Sequence, residues 1–277
     1  MGNNGQTRRA PRRQIRRVLR LLLRLISLLG FDPPRLATNV REFPRFVWDA
    51  VLYTRKRPAQ AFRVRLLDLN PIVNERNEPA GTVGGSYFHQ DLWAARKIFE
   101  RRPEAHIDIG SRLDGFIAHL LTFMPVTVID IRAIQSRIPG LSFIQDDATE
   151  LANIPDNSVD SLSSLHAAEH FGLGRYSDAV DPDACFRFMR SLERVLAPGG
   201  RLYFSVPMGR ERVEFNAHRI FAFQTVVKAF PNLSIVSFSA VDDAGDLHEN
   251  ADPPVVSDFE YGCGLFEFTK PLPTHEE

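Results

Sequence analysis

Residues 108–115 read Asp-Ile-Gly-Ser-Arg-Leu-Asp-Gly, and they join a short apolar run, 105–109, to a stretch with helical spacing, 114–123. A strand that ends at a glycine turn and reopens as a helix brings backbone N–H groups and a helix N-terminus up to one point in space, where a ligand can be held. Gly110 and Ser111 stand at that turn, directly after Asp108.

Outward from this turn the chain alternates. Residues 90–102 have helical spacing before it. After it come strands at 126–129, 141–144 and 159–165, a helical segment over 183–196 closed by Pro198-Gly199-Gly200, and a strand over 201–206. A helix near 220–229 and strands near 233–240 and 264–269 complete the pattern. Helices alternating with strands imply right-handed βαβ units. The expected class is therefore α/β: a Rossmann-like, doubly wound, mostly parallel sheet with an N-terminal helical extension. Ligands of such sheets sit at the carboxyl ends of the strands. Polar residues stand at those ends: Asp130 after the second strand, Asp146 and Asp147 after the third, His166 after the fourth. A carboxylate at Asp130 suits the two hydroxyls of a ribose, and one at Asp147 or Asp146 suits an adenine amino group.

The ordered set resembles the class I methyltransferases that use S-adenosylmethionine, over roughly residues 100–210. The resemblance implies Asp108, Gly110 and Ser111 on the methionine side, Asp130 on the ribose, Asp147 (with Asp146 as its substitute) on the adenine, and His166 beside the sulfonium. The sequence departs from the usual Gly-x-Gly-x-Gly loop, having only Gly110 and Gly115. Longer stretches, the run from His106 to Phe116, Ser164-Leu-His-Ala-Ala-Glu-His-Phe-Gly-Leu-Gly-Arg-Tyr-Ser-Asp178, Ser205–Gly209 and Phe215-Asn-Ala-His-Arg219, resemble a narrower branch, domain-of-unknown-function family 268, which is placed among the methyltransferases. That likeness implies methylation of a glycan or small-molecule acceptor such as a nucleotide sugar.

His166-Ala-Ala-Glu169-His170 also fits the H-x-x-E-H pattern of inverted zincins. That chemistry needs both histidines on one helix face, whereas His166 closes a strand, so no metal is expected. His166, Glu169 and His170 are instead the candidate catalytic groups, a neutral imidazole taking the proton of an acceptor hydroxyl. Arg175 and Tyr176, in a loop rich in turn formers, and Asn216, His218 and Arg219 after the fifth strand are the candidate acceptor-binding residues, with a capped helix start as the plain structural reading of the latter. Tyr87, His89, Gln90 and Asp91, ahead of the first helix, read as a lid over the cofactor.

The 277 residues carry 34 Lys and Arg against 34 Asp and Glu, so bulk charge selects no partner. The first 24 residues, however, hold eight arginines and no acid. Residues 1–14 read as a disordered tail. Over 15–29 Ile15, Leu19, Leu22, Ile26 and Leu29 recur at helical steps among arginines, which suits a helix lying in a membrane surface through residues 13–29. Gly30 and Pro33-Pro34 stop it. The expected organisation is a tail and amphipathic helix over 1–30, a helical and irregular extension over 31–85, in which Phe43, Phe46, Val47, Trp48, Val51, Leu52 and Tyr53 suggest one helix with a buried face, and the Rossmann-like domain over 86–277. Two unpaired-looking cysteines and the absence of a spanning segment place the protein in the cytoplasm, peripheral at the inner membrane face. No aromatic-basic stripe suggests nucleic acid. The competing reading is a non-catalytic binding or scaffold protein that keeps the fold, motivated by the glycine-poor loop.

Overall fold

The computed structural model describes residues 25–56, 62–73, 85–134 and 137–273. The helix expected over 15–29 thus lies mostly outside the described residues. The chain divides between Gly81 and Thr82 into two compact units.

In the first unit residues 25–28 are helical and Gly30 turns the chain at φ +79°. Asp32 then caps helix α1 (Pro33–Arg55), its carboxylate accepting from the Arg35 amide at 3.1 Å. Pro33 and Pro34 occupy the first turn, where an absent N–H is no loss. The proline pair therefore starts a helix as well as ending one. The helix anticipated around 43–53 exists and is twice as long, but the expectation of a buried face is wrong: none of its residues is buried.

The second unit is built on an eight-stranded sheet in the order β3-β2-β1-β4-β5-β10-β8-β9. Strands β1 (His106–Ile109), β2 (Val126–Asp130), β3 (Leu141–Gln145), β4 (Val159–Leu165) and β5 (Leu196–Met208) run parallel. β10 (Gly262–Thr269) is inserted antiparallel between β5 and β8 (Ser234–Val241), and β9 (Leu247–His248) closes that edge. Period-2 burial sorts the side chains of β5 and β10. Leu202, Phe204, Phe266 and Phe268 join one apolar cluster, Tyr203, Cys263 and Leu265 the other. Helix α2 (Ser86–Arg101) seals the second cluster with Trp93, Ala94 and Ile98. Helix α3 (Ala184–Val195) seals the first with Phe188, Met189, Leu192 and Val195, spaced three and four apart.

Two local expectations change. Tyr87, His89, Gln90 and Asp91 form the opening turns of α2 rather than a segment ahead of it; Gln90 and Asp91 are buried polar residues that interrupt the apolar pattern. Residues 212–220 form a hairpin, β6 (Arg212–Glu214) against β7 (His218–Ile220), instead of opening a helix. Asn216 makes its turn at φ +60°, a conformation asparagine tolerates well. Helix α4 (Phe223–Ala229) follows.

Candidate functional site

The carboxyl ends of β1, β2 and β4 and the segments that follow them enclose a cavity of about 490 Å³. Gly110, Asp130, Asp147, His166 and His170 all line it, so the strand tips singled out in the sequence converge on one space. Gly110 sits at φ +73°, and a Cβ there would press on the Cβ of Ala167 at 3.0 Å, so the turn needs glycine twice over. Gly115 answers a different demand. It does not face the cavity; a Cβ on it would collide with the Asp91 carboxylate of α2. The second glycine of the loop thus serves helix packing.

Asp108 and Ser111 are beneath the site, not in it. Asp108 is fully buried, accepting from the Ser111 amide at 3.1 Å, from Ser111 Oγ at 2.6 Å and from Ser163 Oγ at 2.5 Å. Ser111 Oγ in turn accepts from the Leu165 amide at 3.0 Å, which ties the tip of β1 to that of β4. Burial pushes the Asp108 carboxyl up to about 6 despite these bonds. Ser163 gives its proton to Asp108, so His106 Nε2, 2.8 Å away, must donate to it and Nδ1 must accept from Ser161 Oγ. His106 is accordingly neutral, its pKa lowered by burial to about 3.

Asp130 projects from β2 into the cavity, where Arg132 folds back onto it with Nε at 2.9 Å and Nη2 at 2.5 Å. The Arg132 guanidinium lies 4.8 Å from the Tyr176 ring centroid, on the far wall of the same cavity. Nothing in the sequence pattern singled out Arg132, because it follows the strand tip in a stretch without periodicity. Asp147 holds the Thr149 amide at 2.9 Å and lines the cavity; Asp146 does not, being occupied with the Asp147 amide and Asn153.

His166 is at φ +51°, a strained conformation for a non-glycine residue, directly after β4. Its Nδ1 is 3.0 Å from Glu169 Oε1 and its Nε2 3.1 Å from Cys263 Sγ, all three groups being buried. Burial alone would drive the proton off. The flanking Cys263 sulfur and Glu169 carboxylate outweigh it and hold the His166 pKa well above the ordinary histidine value, while burial of Glu169 is outweighed by His166 so that its carboxyl falls below its usual range. A cation with both nitrogens occupied has no lone pair to offer a substrate proton. Cys263, contributed by β10, carried no spacing signal in the sequence.

His170 is the contrasting case. It lies in the turn Ala168–His170, and its Nδ1 donates to the Ala217 carbonyl at 2.7 Å. Burial lowers its pKa below the ordinary value, against the pull of Glu169. The neutral ring therefore carries its proton on Nδ1 and leaves Nε2 as a bare acceptor, with Glu169 Oε1 too distant for a hydrogen bond at 3.7 Å. Tyr176 meets the ring edge-on, with centroids 5.6 Å apart.

The proposed acceptor-binding residues separate. Arg175 and Tyr176 line the cavity, the Arg175 guanidinium donating to Ala217 O at 2.9 Å and stacking 5.2 Å from the Tyr176 centroid. Arg175 has no carboxylate partner among the described residues. Arg219 turns behind the site, donating to the carbonyls of Phe171 at 2.6 Å and of Glu169 at 3.4 Å from Nη1 and of Pro182 at 3.3 Å from Nη2; it holds the 169–182 loop in place. Asn216 donates to Leu173 O at 3.3 Å. His218 packs 4.9 Å from the Tyr261 ring, and its Nε2 is buried without a hydrogen-bond partner, as is Glu169 Oε2. Tyr87, on α2, covers His166 at 5.0 Å between ring centroids. Among the described residues no group of His, Cys, Asp and Glu is arranged to hold a metal ion.

Comparison with known proteins places these features in context. No curated protein sequence matches the chain. Solved structures similar to it include the [4+2]-cyclase SpnF, at 15% identity over 69% of this chain and 84% of that one, TM-score 0.48. Others are an S-adenosylmethionine-dependent methyltransferase from Clostridium acetobutylicum ATCC 824 (12% identity, 68% and 93% covered, TM-score 0.47) and the N-methyltransferase NodS from Bradyrhizobium japonicum WM9 with S-adenosyl-L-homocysteine (14%, 73% and 94%, TM-score 0.45). Residues 128–246 match the model of the family described as "Caenorhabditis protein of unknown function, DUF268", so the chain resembles that family from within β2 through β8, a span that holds the 164–178, 205–209 and 215–219 stretches and leaves the 106–116 run outside it.

Proposed function

We propose that this protein is an S-adenosylmethionine-dependent O-methyltransferase, acting on a glycan or nucleotide sugar. The observation that carries the reading is the convergence of Gly110, Asp130 and Asp147 with a neutral, tautomer-fixed His170 on one cavity. The residues present suit an adenosyl sulfonium. Asp130 offers a carboxylate to the ribose diol, and Asp147 offers one to the adenine amino group. The buried Glu169 carboxylate, 3.0 Å from the His166 imidazolium, limits the repulsion between that cation and a sulfonium. The bound cofactor would supply an electrophilic methyl group.

This chain's own residues would do the rest. His170 Nε2 accepts the proton of the acceptor hydroxyl as the oxygen engages the methyl carbon, and the Ala217 carbonyl stabilises the imidazolium that results. Arg175, without a carboxylate partner among the described residues, offers its charge to an anionic group of the acceptor, such as the diphosphate of a nucleotide sugar. The Tyr87 and Tyr176 rings, which pack on His166 and His170, flank the reacting atoms in the cavity.

The test supplies S-adenosylmethionine with a panel of nucleotide sugars and short glycans and measures S-adenosylhomocysteine release. His170→Asn should lower kcat by about 10²- to 10⁴-fold while leaving S-adenosylhomocysteine affinity unchanged. An active wild-type enzyme indifferent to this substitution contradicts His170 as base. A second reading, binding without turnover, is favoured by Arg132 closing on Asp130 and by the glycine-poor loop. It predicts cofactor binding with no methyl release across the panel.

A further inference from the structure

Helix α1 spans 23 residues, about 34 Å at 1.5 Å per residue, and none of them is buried. Leu36, Val40, Phe43, Val47 and Val51 recur at three- and four-residue steps on one face, exposed at 49%, 66%, 49%, 45% and 41%, with Trp48 beside them at 59%. Arg45, Glu42 and Asp49 stand on the opposite face, and Arg41, paired with Glu42 at 3.0 Å, lies at its flank near Trp48. A continuous apolar stripe of this length is far beyond the scattered exposed residues of an ordinary soluble surface. Among the other described residues of the first unit, Leu29 is exposed at 86% and Leu67 at 96%. Among the described residues no helix is long and apolar enough to cross a membrane.

Charge identifies the occupant. Residues 1–81 hold seventeen Lys and Arg against six Asp and Glu, whereas residues 82–277 hold seventeen against twenty-eight. The two units are thus opposite in sign within a chain of zero net charge. A second copy of a unit this basic would bring like charges together. An anionic bilayer surface supplies both an acyl boundary for the stripe and headgroups for the arginines. We propose that the first unit is a lipid-docking module whose helix α1 lies flat in an anionic membrane surface, with Phe43, Val47 and Trp48 inserted. The module anchors through α1 itself, in addition to the arginine-rich segment that precedes it, and the proposal stands apart from the reading of the catalytic cavity.

The full-length protein is tested by co-sedimentation with phosphatidylcholine vesicles, with and without about 30 mol % phosphatidylglycerol. Wild type should pellet with the anionic vesicles and much less with the neutral ones. The chain's two tryptophans make the readout specific, since Trp93 is buried at 6% exposure and Trp48 is open. On docking, Trp48 emission should shift to the blue and be quenched by bromine-labelled acyl chains, and Trp48→Phe should abolish both signals while still pelleting. Phe43→Glu with Val47→Glu, at exposed positions that leave the fold intact by circular dichroism, should weaken vesicle binding about tenfold or more. Three results overturn the proposal: no anionic-vesicle binding by wild type, binding by the double variant equal to wild type (the basic tail alone then suffices), or a lipid-free dimer that the double variant dissociates (a second copy then covers the stripe).

Discussion

Two histidines four residues apart occupy opposite protonation states, and that contrast is the chemistry of the site. His166 is held as a cation between Cys263 and Glu169, and His170 is kept neutral by burial with its proton fixed on Nδ1. As the proposed base, His170 would act in its unprotonated form, and because its pKa is lowered, kcat should stay flat from pH 8 down past 6.5 and fall only below it; a midpoint above 7 in the pH–rate profile contradicts the assignment. A second pair sets acid stability. His106, pulled down to about 3, makes folding resist protonation, so it costs stability as pH falls from about 6.5 toward 3, at roughly 1.4 kcal/mol per unit. Asp108, raised to about 6, acts in the opposite sense: its contribution is present below the usual carboxylate range and is lost as pH rises through 6. Urea midpoints at pH 7 and pH 4.5 should therefore change little in wild type through this pair. His106→Asn should become relatively more stable at the lower pH, by about 2 kcal/mol, and no differential between the two pH values rejects the account. The convergence of Asp130, Asp147 and His166 was legible from their places after successive strands, since strand tips in this topology share a crevice, whereas His170, in the turn beyond β4, was drawn in by the H-x-x-E-H stretch. The protonation states of the two histidines were not legible, because these depend on Cys263 and Ala217, 97 and 47 residues away from their partners.

At the scale of elements, the segment 169–182 is shaped by partners behind it. Gly172 sits at φ +73°, a Cβ added to it would run into the Asp181 carbonyl oxygen, and its amide donates to Asp178 Oδ2 at 2.8 Å. Gly172→Ala combines a disfavoured backbone conformation with a collision and should cost about 2–4 kcal/mol, read as a drop in urea midpoint, and should weaken turnover by displacing His170. Arg219→Ala removes three carbonyl contacts from the same loop and should destabilise by about 1–3 kcal/mol while slowing turnover, without altering which acceptor is chosen. A change in acceptor preference would instead return Arg219 to the binding role its sequence neighbourhood suggested. Strands β1 to β5 were readable because each is an apolar run closed by a turn residue. The hairpin β6–β7 was not, being three residues a side with no alternation, and α1 was read short because Pro33-Pro34 signals an ending as strongly as a beginning.

For the molecule as a whole, the alternation of elements carried the parallel half of the sheet, and the order of its antiparallel edge was beyond it. The insertion of β10 between β5 and β8 is an antiparallel pairing, with α4 and β8 lying in sequence between β5 and β10, and nothing local encodes which edge β10 joins. That insertion matters to function, since it delivers Cys263 to His166. The exposure of α1 was likewise invisible to a pattern that only reports amphipathicity. The central claim is that the strand-tip cavity holds an adenosyl group through Asp130. Calorimetric titration of the purified chain with S-adenosylhomocysteine tests it most directly. Binding with a micromolar Kd, weakened at least about tenfold in Asp130→Ala while the variant's urea midpoint stays near wild type, is the expected result. Heat-silent titration of a folded wild-type protein, or equal affinity in the variant, contradicts it.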